Sequence, residues 1–280
     1  MVTADNSHFR ILEDIARDFS GDVNFPTCMD AAVLVRDTLS DPNTNLQRVV
    51  QVIGIEPLIS SKLLKLANSV AYNPSGQGVS ELGSAIKRLG FEAVRTTSLA
   101  VAMDQMLKSK NLTVFGDISR NAWEHTLRVS AIARILAGRI GRINPEEAML
   151  AGLVHDIGIF YLLFRAADYS EYRENHAATL ELIRDWHAET SNKLLQILGL
   201  PEQITDAVRG HDQLRHLDTP ASVRDVLYFA NPLAGYDSDW NPDFADASEI
   251  TARAANLERY PDLLGEAEEY VAELRAALAV

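Results

Sequence analysis

Apolar residues recur every three to four positions along almost the whole chain, the spacing that places them on one face of an α-helix. No segment shows the sustained alternation of apolar and polar residues that is typical of a β-strand. Proline, glycine and short polar runs separate the periodic segments. The pattern therefore predicts an all-α protein.

The periodic segments fall into two groups, separated by a polar stretch at residues 108–117. In the first group, helices are predicted at residues 9–19, 29–39, 46–53, 57–68, 80–89 and 92–107. In the second, they are predicted at residues 118–136, 146–163, 179–198, 201–211 and 220–233, followed by two amphipathic segments. We therefore expect two helical subdomains. Residues 1–115 would form an N-terminal bundle packed on residues 116–280, which end in a helical tail.

One predicted helix carries an unusual pair of side chains. Residues 146–163 are apolar almost throughout, yet His155 and Asp156 stand side by side in their middle. Burying an ionisable pair is costly unless it is hydrogen-bonded, charge-paired or bound to a metal. Gly158 follows the pair, and a glycine there allows another backbone to come close or the helix to bend. Other residues of the chain must therefore face this pair.

Helical spacing indicates which other polar residues can meet the pair. Steps of three and four residues place His125, His187 and His211 on the apolar faces of three other predicted helices. His155 and Asp156 also share their faces with apolar residues. Each histidine alone fits a core residue that is hydrogen-bonded to a backbone carbonyl. Together, four imidazoles and one carboxylate are also the donor set of a divalent transition-metal site.

Composition and charge exclude some classes of binding partner for this protein. The 280 residues include 26 basic and 39 acidic side chains, which gives a formal net charge of −13. Such a surface repels phosphate backbones and anionic lipids, so we expect neither nucleic acid nor a membrane as a partner. The single cysteine, Cys28, excludes an internal disulfide and suits a reducing cytosol. We find no apolar run of membrane-spanning length and no signal-peptide pattern, and therefore expect a cytoplasmic protein.

Several motifs together resemble the HDOD domain, a branch of the HD superfamily of metal-dependent phosphohydrolases. They extend over about residues 20–235 and comprise Phe25-Pro26, residues 53–57 and 64–69, Ala85-Ile86 with Leu89-Gly90, residues 123–125 and residues 151–158. The resemblance implies an all-helical fold with an HD-like second subdomain. It also implies a role in bacterial signal transduction, usually as an output or adaptor domain without demonstrated catalysis.

The resemblance also exposes departures from the active enzymes. Those enzymes complete their metal site with an aspartate on a late helix, and the matching residue here is Asn231, a weaker metal ligand. Asp212 stands where the family often has a second histidine after His211, and Glu56 replaces a usual aspartate. The candidate metal ligands are His125, His155, Asp156, His187 and His211. We expect this cluster to hold one divalent transition metal or none.

Three functions are compatible with these residues. The preferred hypothesis is a non-catalytic signalling or regulatory module that acts by binding other signalling proteins. The alternative is a metal-dependent HD-type phosphohydrolase of a nucleotide or cyclic dinucleotide, in which a bound ion generates hydroxide and holds phosphate. A third possibility is a domain that senses a nucleotide second messenger without turnover. The residue at position 231 separates the first two hypotheses.

Overall fold

The computed structural model describes residues 4–20, 29–213, 217, 219–235, 240 and 257–278 of the chain. Its helices, numbered in chain order, are α1 Ala4–Ser20, α2 Asp30–Ser40, α3 Leu46–Gly54, α4 Pro57–Ala67, α5 Leu82–Leu107, α6 Lys110–Thr113, α7 Gly116–Ile140, α8 Pro145–Val154, α9 Ile157–Ala166, α10 Ser170–Glu174, α11 His176–Ile197, α12 Glu202–Val208, α13 Val223–Ala234 and α14 Leu263–Leu278. Within those ranges all regular secondary structure is helical, so the prediction of an all-α fold is confirmed.

Two predicted features differ in detail from the structure. Helix α5 combines two predicted helices, and its helical geometry is interrupted at Gly90, whose φ of 79° lies in the left-handed region that favours glycine. The polar stretch at residues 108–117 contains the short helix α6 instead of an open connector. Ser109 caps this helix, because its side chain accepts a hydrogen bond from the backbone N–H of Leu112.

The helices form two compact units, and each unit joins segments that are far apart in the sequence. One unit combines α1 with α6–α13, and the other combines α2–α5 with most of α14. This division differs from the two continuous segments, 1–115 and 116–280, that we expected from the sequence. The reason is that each terminal helix completes the core of the other half's unit.

Helix α1 is attached to the first unit by its apolar face and by two carboxylates. Ile11 and Ile15 are buried. The hydroxyl of Tyr161 on α9 donates a hydrogen bond to Asp18 at 2.6 Å, and the hydroxyl of Tyr169 donates one to Asp14. The contacts therefore link α1 to residues that follow it by more than 140 positions.

In the second unit, polar contacts attach the C-terminal helix to the segment after α4. The carboxylate of Glu273 accepts a hydrogen bond from the backbone N–H of Ala71, and the hydroxyls of Tyr72 and Tyr270 lie 3.3 Å apart. The side chain of Asn68 bonds both backbone groups of Val79 and so holds the loop that leads to α5. Helix α14 is thus a structural part of this unit.

Helices α8 and α9 form the centre of the first unit, where α7, α11 and α13 pack against one or both of them. The sequence predicted one helix here, but the structure breaks it at the polar pair. His155 ends α8, and Asp156 has φ −106° and ψ 20°, outside the helical region, before α9 begins. The two side chains therefore project from a turn, and the angular spacing of neighbours on a continuous helix does not apply to them.

Residues 145–166 form a helical stretch that is long and apolar enough to cross a membrane by length and composition. This differs from our expectation that no run reaches spanning length. However, 89% of its most apolar window is buried inside the protein. Burial of that extent is typical of the central helices of a folded domain, and it follows from the packing around α8 and α9.

Two glycines allow neighbouring helices to approach this centre closely. A Cβ on Gly152 would lie 2.6 Å from the Cα of Ser130 on α7. A Cβ on Gly158 would lie 2.3 Å from the carbonyl oxygen of His187 on α11. The N–H of Gly158 also donates a hydrogen bond to the hydroxyl of Ser191 at 2.9 Å. The close backbone approach expected at Gly158 is therefore confirmed.

We expect Gly158→Ala to lower the free energy of unfolding by about 1–3 kcal/mol, because the added methyl group forces α11 away from α9. Gly138→Ala is the matched control, since a Cβ there meets only Pro145 at 3.8 Å, an ordinary contact. Urea unfolding followed by circular dichroism measures both variants. An equal loss of stability in the two would contradict the close-approach explanation.

Candidate metal centre

Each of the four histidines predicted from helical spacing bonds a backbone carbonyl through its Nδ1 atom. The carbonyls belong to Gly235 for His125, Gly152 for His155, Ile183 for His187 and Val208 for His211. Because a carbonyl only accepts, Nδ1 must carry the proton, and Nε2 of the neutral ring keeps a lone pair. This tautomer and this kind of outer hydrogen bond are typical of histidines that bind metals through Nε2.

The four Nε2 atoms surround the carboxylate of Asp156. Nε2 of His155 lies 3.2 Å and that of His125 3.9 Å from Oδ2. Nε2 of His211 lies 3.1 Å and that of His187 3.7 Å from Oδ1. All five side chains are buried. The structure thus brings together every residue of the predicted cluster, from α7, the α8–α9 turn, α11 and the turn after α12. His211 was predicted on a helix spanning residues 201–211, but α12 ends at Val208, so this residue is not on a helical face.

The first half-site lies on the Oδ2 side of Asp156. It consists of His125, His155, Oδ2 of Asp156 and the side-chain amide of Asn231 on α13. The two Nε2 atoms are 3.2 Å apart, and Oδ1 of Asn231 lies 2.8 Å from Nε2 of His125. Asn231 is therefore at the position where the family resemblance placed a closing ligand.

The second half-site lies on the Oδ1 side of Asp156. It consists of Oδ1, His187, His211 and the carboxylate of Asp212. Oδ2 of Asp212 is 2.7 Å from Nε2 of His187, and its Oδ1 is 3.2 Å from Nε2 of His211. Asp156 is therefore shared by two groups of donors on opposite sides of its carboxylate.

Two residues of the centre were not predicted. We noted Asp212 only as a replacement for a histidine, although its place beside His211 was a signal that it could join the cluster. Trp240 packs edge-on against His125, with ring centroids 6.1 Å apart, and only 2% of it is exposed. It lies outside the periodic segments, so helical spacing could not have found it.

The donor atoms fit a divalent metal ion. Ligands about 2.1 Å from an ion are separated by about 3.0 Å in an octahedral shell and about 3.4 Å in a tetrahedral one. Adjacent donors in the two half-sites are 2.7–3.9 Å apart. Nε2 of His187 is buried and makes no hydrogen bond with suitable angles, despite its 2.7 Å distance from Asp212. A cation in either half-site would bind the lone pairs on that side of Asp156.

Without a metal, the charges in the cluster shift one another's pKa values. Burial alone would raise the pKa of Asp156, but the adjacent histidines, His155 above all, outweigh it and hold that pKa well below its usual value. Burial opposes protonation of His211, yet Asp212 and Asp156 raise its pKa to about 9. The pKa of His187 is also raised against its burial, chiefly by Asp212. Both shifts in the second half-site therefore come from the carboxylates that face the two histidines.

We expect zinc binding at pH 7 to release protons, because His211, with its pKa of about 9, is protonated there and must lose that proton to bind a metal. The apparent affinity should therefore rise between pH 6 and 9 and then level off. Calorimetric titrations in buffers of different ionisation enthalpy count the protons. His176→Ala, which removes an exposed histidine of α11, should leave that count unchanged. Affinity independent of pH in this range would contradict the prediction.

The fold and the centre together define a class of protein. An all-helical unit that presents a buried His-Asp pair to histidines from neighbouring helices is similar to the HD-type phosphohydrolase fold. The family model of the HDOD domain matches residues 25–214. The chain therefore belongs to the HDOD family, and the resemblance found in its sequence motifs is confirmed.

Solved structures with the same fold come from several bacteria. A proposed metal-dependent phosphohydrolase of Shewanella amazonensis SB2B is 21% identical, with a TM-score of 0.75 over 98% of this chain and 99% of that one. An HDOD domain protein of unknown function from Geobacter sulfurreducens is 22% identical, with a TM-score of 0.62 over 95% and 96%. A proposed signal transduction protein of Marinobacter aquaeolei VT8 is 17% identical, with a TM-score of 0.57 over 98% and 67%. At these identities, the likeness establishes the fold alone.

One curated relative matches in sequence. It is an uncharacterized protein of Treponema pallidum, 24% identical over 192 residues, or 65% of this chain. The match covers 36% of that protein, so the chain spans about a third of the length of its relative.

Proposed function

We propose that this HDOD protein is a non-catalytic module of bacterial signal transduction that acts in the cytoplasm by binding other signalling proteins. The observation that carries the proposal is Asn231 in the first half-site, 2.8 Å from Nε2 of His125. An aspartate at this position would place a carboxylate oxygen against the lone pair of His125 Nε2, and a cation would have to lie between these two acceptors. The amide of an asparagine can instead turn its NH₂ group toward Nε2 and satisfy it by an ordinary hydrogen bond. The first half-site can therefore be stable without an ion.

Burial of the centre also supports a role other than hydrolysis. Of the five predicted ligands, none is more than 4% exposed, and Trp240 lies against His125. A metal-dependent hydrolase must bring a phosphate oxygen and a water to the same ion. An ion held by the Nε2 atoms and Asp156 would supply Lewis-acid chemistry and a water of lowered pKa. The packed donors of the first half-site leave such groups little room.

A groove on the surface of the second unit supports protein binding. A groove of about 610 Å³ is lined by residues of α4 and α14 and by the turn between α4 and α5. Val70 at this groove is 74% exposed, and Leu64 and Ala276 also line it. Four of its eight lining residues, Lys65 and Glu273 among them, are polar, so the groove offers a partner both apolar and charged contacts.

Metal-dependent phosphohydrolysis is the second candidate function. It is favoured by the number of metal-binding donors that the centre retains. It is also favoured by the shared fold with the Shewanella amazonensis protein, which is described as a proposed metal-dependent phosphohydrolase. In that case the substrate would be a nucleotide or cyclic dinucleotide, and the ion would have to bind despite the neutral amide at position 231.

We expect the wild-type chain, supplied with manganese, iron or zinc, to hydrolyse neither nucleotides, cyclic dinucleotides nor bis(p-nitrophenyl) phosphate, because one ligand charge is missing from the first half-site. Release of phosphate or nitrophenol over hours measures this. Metal-dependent turnover that disappears in the His155→Ala/Asp156→Ala double variant would overturn the adaptor proposal in favour of the hydrolase. Turnover that survives in that variant would point to a contaminant.

A further inference from the structure

The two half-sites differ in charge, although their donor spacing is similar. Both share Asp156 and both contribute two Nε2 atoms. The fourth group is the neutral amide of Asn231 in the first half-site and the carboxylate of Asp212 in the second. Two carboxylates can neutralise a divalent cation, whereas one leaves a net positive charge in a buried place. The active enzymes have their second carboxylate at the position of Asn231, in the first half-site. In this chain the second carboxylate is that of Asp212, in the second half-site.

We propose that the second half-site is a single-ion site in its own right, in which Asp212 is a metal ligand, and that one divalent transition metal binds there and not in the first half-site. This inference goes beyond the proposed function, because neither signalling nor the absence of catalysis requires a metal. It assigns a ligand role to an aspartate at a position where the family often has a histidine.

Asp156, His187 and His211 of the second half-site can together hold an ion, and Asp212 lies against both histidines. Successive donor–donor distances are 3.1 Å from Asp156 to His211, 3.2 Å from His211 to Asp212, 2.7 Å from Asp212 to His187 and 3.7 Å from His187 to Asp156. They bracket the spacing of about 3.0–3.4 Å between ligands in octahedral and tetrahedral shells. Both oxygens of Asp212 take part, one toward each histidine.

A buried nitrogen supports an ion in the second half-site. Nε2 of His187 faces the carboxylates of Asp156 and Asp212, the residue is 4% exposed, and this nitrogen makes no hydrogen bond of suitable angles with the described residues. Its own Nδ1 is already used by the carbonyl of Ile183. Nε2 of His187 lies 2.7 Å from Oδ2 of Asp212 and 3.7 Å from Oδ1 of Asp156, so a metal ion bound by the two carboxylates would be within its reach.

Exposure distinguishes the half-sites further. The side chain of Asp212 is 23% exposed, whereas those of His125, His155 and Asp156 are 0–2% exposed. Asp212 is therefore the member of the second half-site that is most open to solvent. The first half-site has Trp240 against His125. Two imidazoles with two carboxylates suit zinc, iron, cobalt or manganese, so the test uses zinc and cobalt ions as probes.

The experiment measures the stoichiometry and affinity of zinc in the full chain after removal of metal with a chelator. We expect one equivalent in wild type. Asp212→Asn keeps the shape of the side chain and should weaken zinc binding by at least about 10–100-fold. Asn231→Ala, the matched change in the first half-site, should leave the affinity unchanged. Asn231→Asp should add a second equivalent, because it restores a carboxylate on the other side.

Cobalt provides a second readout that does not depend on affinity. Its visible absorption reports the ligands of the ion, so the spectrum should change in Asp212→Asn and be the same in Asn231→Ala as in wild type. Circular dichroism of the metal-free variants shows that each one folds. The more conservative Asp212→Glu replaces Asp212→Asn if that variant does not fold, and should shift the cobalt spectrum without abolishing binding.

Two results would overturn the inference. One is a loss of binding in His125→Ala or Asn231→Ala that is as large as in Asp212→Asn, because the ion would then occupy the first half-site. The other is wild-type protein that binds no zinc or cobalt, a result that leaves the adaptor proposal intact. Conversely, metal-dependent turnover would overturn the adaptor proposal while Asp212 remained a ligand, so the two failures are distinguishable.

Discussion

A buried negative charge determines the organisation of the first unit. The carboxylate of Asp156 is almost completely enclosed, and a charge there is tolerable only if positive or hydrogen-bonding groups surround it. Four imidazoles from separate parts of the chain meet this requirement. Each of them is in turn fixed by a backbone carbonyl, so the cluster orients the helices that carry it. The glycines at 152 and 158 allow those helices to come close enough.

Much of this arrangement could be predicted from the sequence, for a simple physical reason. A polar residue on the apolar face of a helix must find a partner in the core, so helical spacing was enough to identify His125 and His187. The same spacing also pointed to His211, although the structure places that residue in the turn after α12. The two interpretations of each histidine also proved compatible. Nδ1 bonds a carbonyl, as in an ordinary core histidine, while Nε2 faces the shared carboxylate.

Other features depend on contacts between segments that are distant in the sequence, and such contacts cannot be predicted from helical periodicity. The break at His155 and Asp156 lies within a continuous apolar run, and no proline or polar stretch marks it. The position of Asp212 inside the cluster depends on the turn that follows α12, not on a helical face. The exchange of terminal helices between the two units could not be predicted from the sequence. The pattern of an amphipathic helix shows that it has an apolar face, but it does not show which core that face packs against.

That exchange has a consequence for how the chain folds during synthesis. The bonds that attach α1 join residues 143 and 155 positions apart, and the bond from Ala71 to Glu273 spans 202 positions. A ribosome that adds about 5–20 residues per second would complete the partners of α1 many seconds after α1 itself. Helices α2–α5 would be complete even longer before α14, the last helix of their unit, is synthesised. In the interval their apolar surfaces would remain uncovered, and transiently exposed apolar surface makes a folding chain prone to aggregation.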